Sequence, residues 1–409
     1  MTLRQLLGRL APLRNSRFRL LFVATLASAL GNWLAVIALQ VDIYDRTHSG
    51  LWVAVLLVAA VLPSVFVGLL LGSLVDRLSR KGLMVVSDVG RLAVFALLPF
   101  VGSAAGIVAL AMIAGIGNAF FRPAVLAGLP NLVEGPELEE ANGLLQFVEW
   151  AATAAGPLIG GALVAASGPH LAYTSNAITF AISASLMLAI PARLLQSDRP
   201  VGRGHWADLA EGYRTVLRSR PLLCVLIAWS IVMVANGLVN VAEVFLAKNS
   251  YNAGDFGFGL LWCGSGLGMV AGSFAAPHFI REGLGSAYIR LLAIFAIGIG
   301  LTAAAPNVWF GAVAIVIGGF GNGGAVVSNI TLVQRATTDG VRGRAFTLLM
   351  SANYAVLGLA LVAAGPIVDA TGARWAYGLA AATIAVAALV GYRIAGVQAN
   401  GLAPAEGAV

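Results

Sequence analysis

Apolar residues run through this chain in stretches of twenty or more, broken by short polar turns, and that spacing limits the fold before anything else does. A helix rises 1.5 Å per residue, so about 20 apolar residues cross a hydrocarbon layer ~30 Å thick. Such runs lie near 20–43, 51–75, 82–102, 106–129, 141–166 and 170–191. After a polar interval they resume near 222–247, 257–280, 286–305, 308–333, 344–368 and 374–395. Backbone polar groups in hydrocarbon must pair within the protein, and a helix satisfies them all internally. The spacing therefore predicts an all-α integral membrane protein of twelve transmembrane helices. Composition excludes the soluble alternative, because 59% hydrophobic and 11% charged residues leave too few charges to cover a water-exposed surface.

Twelve spans return both termini to one side. Arg4, Arg9, Arg14, Arg17 and Arg19 precede the first span, Arg77, Arg80 and Lys81 follow the second, and six arginines fall within 193–220. Opposite them the alternate turns hold only Arg46, Lys248 and Arg374. Cations concentrate on the cytoplasmic side of membrane proteins, so both termini are expected in the cytoplasm of a cell (inner) membrane. The net charge of +7 follows from these turns and is no sign of nucleic-acid binding. Ala27-Ser28-Ala29 could pass for a signal-peptide cleavage site, but the apolar run continues to Leu39 and predicts a retained first helix.

Five segments follow: a basic tail at 1–19, a six-helix half at 20–192, a linker at 193–220, a second half at 221–396 and a tail at 397–409. In the linker Trp206, Leu209, Ala210, Tyr213 and Leu217 recur at helical spacing, which predicts an amphipathic helix on the membrane surface. Cys224 and Cys263 sit in separate apolar runs without neighbouring His or Cys, a pattern of buried thiols rather than a disulfide or metal site. No nucleotide-binding or other cofactor motif stands out.

The halves resemble each other. An offset of 204 residues superimposes Asn32 on Asn236, Gly115-Ile116-Gly117-Asn118 on Gly319-Phe320-Gly321-Asn322, and Ala172-Tyr173 on Ala376-Tyr377. A nearby offset pairs Gly72-Ser73 with Gly272-Ser273. Internal repeats of six helices are a recurrent way to build a transporter.

The turn Gly72-Ser73-Leu74-Val75-Asp76-Arg77-Leu78-Ser79-Arg80-Lys81 resembles the loop signature of the major facilitator superfamily between its second and third helices, with Ser79 where that family often has Gly. Phe121-Arg122-Pro123-Ala124, Gly156-Pro157-Leu158-Ile159-Gly160-Gly161 and Arg342-Gly343-Arg344-Ala345-Phe346 are similar to a bacterial branch that includes enterobactin exporters, macrolide-efflux proteins and lysophospholipid carriers. The resemblance implies two pseudo-symmetric halves, alternating access and export driven by protons. It also implies a conformational gate of Gly72, Asp76, Arg77, Arg80 and Lys81, with Arg344 one cation for Asp76 to meet. It places Asn32, Asn118, Asn236 and Asn322, near the middles of spans one, four, seven and ten, at a central substrate cavity. Interhelical hydrogen bonding, worth ~0.6 kcal/mol in membranes, is the competing explanation of the four amides.

A charge at the centre of a bilayer costs about 2.5–3.5 kcal/mol on insertion scales, so intramembrane ionisable residues are functional candidates. Asp88 and Arg91 lie one turn apart and suit a local structural pair, part of a charge network with Arg122. Glu149 has no cation in its own run and is the leading proton-coupling candidate, with Asp42 and Glu243, near the outer ends of spans one and seven, behind it. A structural acid held by Arg91 or Arg122 is the alternative for Glu149. Gly156-Pro157 is expected to interrupt span five and Gly365-Pro366 to end span eleven. The four histidines are scattered through turns and span ends, which disfavours an enzyme. The chain is expected to act as a monomer with the lipid bilayer, a small-molecule substrate and protons as partners. A lipid or lysolipid carrier of the same fold is the runner-up.

Overall fold

A computed structural model describes residues 11–70, 78–133, 137–195, 217–337 and 339–395. Within them lie twelve helices: α1 Ser16–Thr47, α2 Gly50–Leu70, α3 Arg80–Leu97, α4 Ala104–Gly128, α5 Glu137–Ser167 and α6 Pro169–Leu188, then α7 Arg220–Phe245, α8 Gly254–Arg281, α9 Leu284–Ala304, α10 Val308–Ala336, α11 Asp339–Thr371 and α12 Ala373–Ala395. Among the described residues eleven are long and apolar enough to cross a membrane, and α2 contributes a shorter apolar stretch, Gly50–Pro63. The all-α architecture is the one the apolar runs predict. The expected amphipathic helix at 193–220 lies mostly outside the described residues, as do Gly72, Asp76 and Arg77 of the signature turn.

Several ends are set by side chains that the apolar pattern does not register. Asn15 caps α1 by accepting from Arg17 N at 2.9 Å, so the helix starts at Ser16 rather than near Leu20. Asn307 caps α10 in the same way, accepting from Trp309 N at 3.1 Å and Phe310 N at 3.2 Å. Pro366 does not end span eleven: α11 continues through it to Thr371 and stops before Gly372, whose φ of 81° is left-handed. Pro157 likewise lies inside a continuous α5. A membrane helix keeps its course past proline where its neighbours re-satisfy the freed groups.

The helices fall into two units, Met1–Arg203 with Gly254–Cys263, and Gly204–Ala253 with Gly264–Val409. In the first, α1 packs on α5 and α6, α3 on α4 and α6, and α2 on α4. In the second, α7 packs on α11 and α12, and α9 on α10 and α12, the same pattern six helices later. The repeat reaches individual side chains. One cluster of the second unit consists of Leu222, Val225, Val333, Ala345 and Leu349. Each stands 204 residues after Phe18, Leu21, Leu129, Ala141 or Leu145, all members of a larger cluster in the first. Lipid tails are as apolar as these side chains, so burial drives little of this packing and close contact must hold the helices instead.

Glycine supplies that contact. On α8 and α10, a Cβ added at Gly268, Gly272, Gly319 or Gly323 would overlap the facing backbone of Val316, Phe320, Ser265 or Met269. The two helices therefore touch backbone to backbone. Gly272→Ala should lower the thermal midpoint of the detergent-purified protein, at a cost of about 1–3 kcal/mol. Gly300→Ala, whose Cβ would meet only Ala381 Cβ at an ordinary 3.6 Å, should leave the midpoint nearly unchanged. Equal midpoints for both variants would contradict the close approach.

Candidate functional site

In the first unit, polar side chains that helical spacing alone leaves separate are drawn to one face. On α1, Thr25, Ser28 and Asn32 recur at intervals of three and four. On α5, Asn142, Gln146 and Glu149 do the same, and on α4, Asn118 and Arg122 are one turn apart and both exposed. The other exposed face of α4 is apolar, with Met112, Ile113 and Ile116. A span with one apolar exposed face and one amide-and-guanidinium face meets two environments, lipid on the first and water on the second.

Thr25, Arg122, Asn142, Gln146 and Glu149 line a cavity of about 360 Å³ whose apolar wall includes Phe121, Val125 and Leu145. Across it Arg122 Nη1 stands 3.8 Å from Glu149 Oε2, with side-chain exposures of 56% and 27%. Of the two cations named as partners for Glu149, the structure places Arg122 beside it. Both remain wetted, so the pair is open to exchange with solvent rather than locked in the interior.

Behind this face runs a chain of hydrogen bonds that starts at a buried ion pair and ends at the exposed Asn118. Arg91 Nη2 donates to Asp88 Oδ1, and Ser183 Oγ on α6 donates to Asp88 Oδ2 at 2.6 Å. Arg91 Nε donates to Ser87 O at 3.3 Å, and the guanidinium carbon sits 4.8 Å from the ring centre of Phe121 and 4.4 Å from that of Phe180. Arg91 Nη1 then reaches Asn32 Oδ1 at 3.2 Å, and Asn32 Nδ2 reaches Asn118 Oδ1 at 3.2 Å. Asp88 and Arg91 form the expected pair, and the structure extends it to two of the four asparagines. Gly117 makes room for the arginine, since a Cβ there would lie 3.0 Å from Arg91 Cγ.

The other predicted residues separate into partnered and unpartnered groups. Asp42 does not simply meet water: it is buried, accepting from Arg46 Nε at 2.6 Å and from Tyr173 Oη at 2.8 Å. Glu243 is also buried, and its Oε1 has no hydrogen-bond partner among the described residues. Asn322 Oδ1 is buried and equally unpartnered, while Asn236 is half-buried and its backbone carbonyl accepts from Asn240 Nδ2 at 2.7 Å. Arg80 Nη1 donates to Leu195 O at 3.1 Å, in the segment after α6, and Lys81 Nζ donates to Leu188 O at 2.7 Å, at the C-terminal end of α6, so both gate-motif cations bond within their own unit. Arg344 lies in α11, its side chain outside the described set. Cys224 and Cys263 are free and buried. Among the described residues no cluster of His, Cys, Asp or Glu could hold a metal.

Sequence reasoning missed Ser183 and the link from Arg91 to Asn32, although the dipeptides Gly31-Asn32, Gly117-Asn118 and Gly321-Asn322 are a legible signal. In each the glycine meets a neighbouring helix: Gly31 abuts Asn176 and Thr179, Gly117 abuts Arg91, and Gly321 abuts the backbone of Phe295. At the positions 204 residues after Asp88 and Arg91 the second unit has Leu292 and Phe295. Asp88→Leu alone should destabilise the protein by about 3–5 kcal/mol, because Arg91 is left buried without its counter-ion. Asp88→Leu with Arg91→Phe, the pattern of the second unit, should recover most of that loss in a thermal unfolding assay. A double variant no better than the single one would mean that the pair does not act as a unit.

The sequence matches the transmembrane secretion effector family over residues 7–405. It is 26% identical to the multidrug efflux pump Tap of Mycolicibacterium fortuitum over 86% of this chain and 89% of that one. It is 28% identical to the enterobactin exporter EntS of Escherichia coli O127:H6 over 80% and 79% of the two chains. With the MFS-type transporter YfiS of Bacillus subtilis it shares 25% identity, spanning 59% of that protein's length. The fold is similar to that of a bacterial homologue of the iron transporter ferroportin, with a TM-score of 0.74 over 93% and 98% of the chains at 16% identity. It is also similar to a bacterial homologue of the lysosomal transporter Spinster, with a TM-score of 0.73 over 94% and 97% at 13% identity. With its multi-pass helical fold, the chain belongs to the transmembrane secretion effector family of the major facilitator superfamily.

Proposed function

We propose that this protein is a secondary active exporter of small amphiphilic molecules, of the drug or siderophore type, driven by protons. It works by alternating access as a monomer in the cell (inner) membrane, with both termini in the cytoplasm. Export is supported by the similarity to a multidrug efflux pump and an enterobactin exporter. Orientation is supported by the crowding of cations into alternate turns. Catalysis is no part of the proposal, since the polar groups of the face bind and position rather than form a nucleophile–base set.

The observation that carries the coupling proposal is the Arg122–Glu149 pair facing a cavity with one polar and one apolar wall. A carboxyl that meets both a cation and a cavity can exchange one partner for another when the surroundings change. Glu149 can therefore load a proton in one conformation and release it in another, with Arg122 promoting release. A cationic cargo in the cavity would compete with the proton for Glu149, which is antiport in its simplest form. Asn32, Asn118, Asn236 and Asn322 are assigned to cargo contact, and the Gly72–Lys81 turn to the gate.

The coupling test uses proteoliposomes and ethidium as an amphiphilic probe under an imposed pH gradient. The parent should accumulate the probe against its gradient, and Glu149→Gln should lose uphill movement while still passing the probe downhill. Uphill rates equal to the parent's would remove Glu149 from the coupling site. Asp76→Asn should leave abundance unchanged and lower ethidium transport by biasing the conformational equilibrium. Full transport by a well-expressed Asp76→Asn protein would remove the gate assignment.

A further inference from the structure

The buried chain behind the polar face has a direction. Arg91 is a donor at every nitrogen, and its Asp88 partner fills one side of the fork. The Asn32 atom that meets Arg91 must therefore be the carbonyl oxygen, however the electron-rich and electron-poor ends of an amide are otherwise assigned. That choice turns the Asn32 amide nitrogen toward Asn118, where it can only donate, so the Asn118 atom it meets is again the carbonyl oxygen. The free end of Asn118 is then its NH₂ group, on the exposed polar face of α4 one turn from Arg122. No acceptor among the described residues takes those hydrogens. The Arg91 guanidinium at the head of the hydrogen-bond chain polarises both amides in the same sense.

The second unit lacks the anchor. Leu292 and Phe295 stand where Asp88 and Arg91 would be, Gly321 packs on Phe295 as Gly117 packs on Arg91, and Asn322 Oδ1 is left without a partner. Among the described residues no charged side chain bonds the Asn322 amide to fix which end faces outward. Of two repeat-related amides, one is locked as a donor and its counterpart is not.

We infer that the first unit presents a fixed hydrogen-bond donor surface, Asn118 Nδ2 beside the Arg122 guanidinium, that selects cargo carrying a strong hydrogen-bond acceptor such as a carbonyl, phosphoryl or deprotonated phenolic oxygen on an apolar body. Asp88 and Arg91 are positioning residues that act through Asn32. Cargo without an acceptor leaves these donors to solvent and gains no hydrogen bond from them, so it binds more weakly. The inference rests on the proposal that this face meets cargo, and it names the chemistry of that cargo.

Equilibrium binding to the full-length purified protein tests it without any gradient. The probes are triphenylphosphine oxide, a neutral acceptor without a donor, and triphenylmethane, of similar shape with neither; each signal is corrected for uptake into protein-free micelles. The oxide should bind about fivefold more tightly than triphenylmethane, the worth of one hydrogen bond. Asn118→Asp, which replaces the donor end by an acceptor, should abolish the preference. Arg91→Lys keeps an obligate donor and should retain it, whereas the charge-neutral double variant Asp88→Asn with Arg91→Gln should lose most of it. The double variant avoids leaving a lone buried charge, and Asn118→Asp tests the surface directly if the double variant fails to fold. Equal affinities for the two probes, no binding of the oxide, or a preference that survives Asn118→Asp would each overturn the inference. Those outcomes leave ethidium export untouched, and loss of export with the preference intact would count against the exporter proposal instead.

Discussion

A polar group in hydrocarbon has no water to fall back on, and every feature of this chain that is not simply apolar answers to that constraint. Backbone groups meet it by forming helices, which fixes the fold class. Many side chains meet it in one of two ways: they pair with one another inside a unit, or they share an exposed face with other polar groups. Asp88, Arg91 and Ser183 take the first course. Arg122, Gln146 and Glu149 take the second, around one cavity. Asn32 and Asn118 join the two, with the buried pair behind them and the wet face in front.

Helices that gain little from hiding apolar surface depend on fit, and glycine is how this chain obtains it. The same residues also decide where polar groups can go. A glycine turned toward the neighbouring helix brings the backbones together, and the residue after it, about 100° further round, is turned away from that contact. The Gly-Asn dipeptides of α1, α4 and α10 use this twice over: close packing by the first residue, presentation of an amide by the second. At Gly117 the space freed by the missing side chain is filled by the stem of Arg91, so helix contact and charge placement are one device.

Fold class and repeat were legible because they rest on long-period signals. Apolar runs give the spans, and a 204-residue offset that first appears in a few Asn, Gly and Tyr residues reappears in five buried positions of each unit. Helix ends were less legible, since Asn15 and Asn307 set them by capping and proline marks no end where neighbours compensate. The local Asp88–Arg91 pair could be read from a three-residue spacing. Its reach to Asn32 and Ser183 could not, because those contacts join helices whose mutual rotation no single-helix pattern encodes. The Arg122–Glu149 contact depends in the same way on how α4 and α5 are each turned about α1.

The two units also show what a repeat conserves in shape and releases in chemistry. Tyr173 and Tyr377 occupy equivalent buried positions on α6 and α12. Tyr173 donates to Asp42, which Arg46 also holds; the hydroxyl of Tyr377 has no partner among the described residues, and neither does Glu243 Oε1 on the adjoining α7. Arg91 and Phe295 are a second such pair, similar in bulk and opposite in polarity. At these two positions the first unit carries a paired polar group where the second has an unpartnered hydroxyl or a phenyl ring. An oriented group keeps one preference through a cycle, whereas an open one can change partners at low cost. A transporter needs both kinds, one to recognise its cargo in the same way each time and one to let the surroundings change.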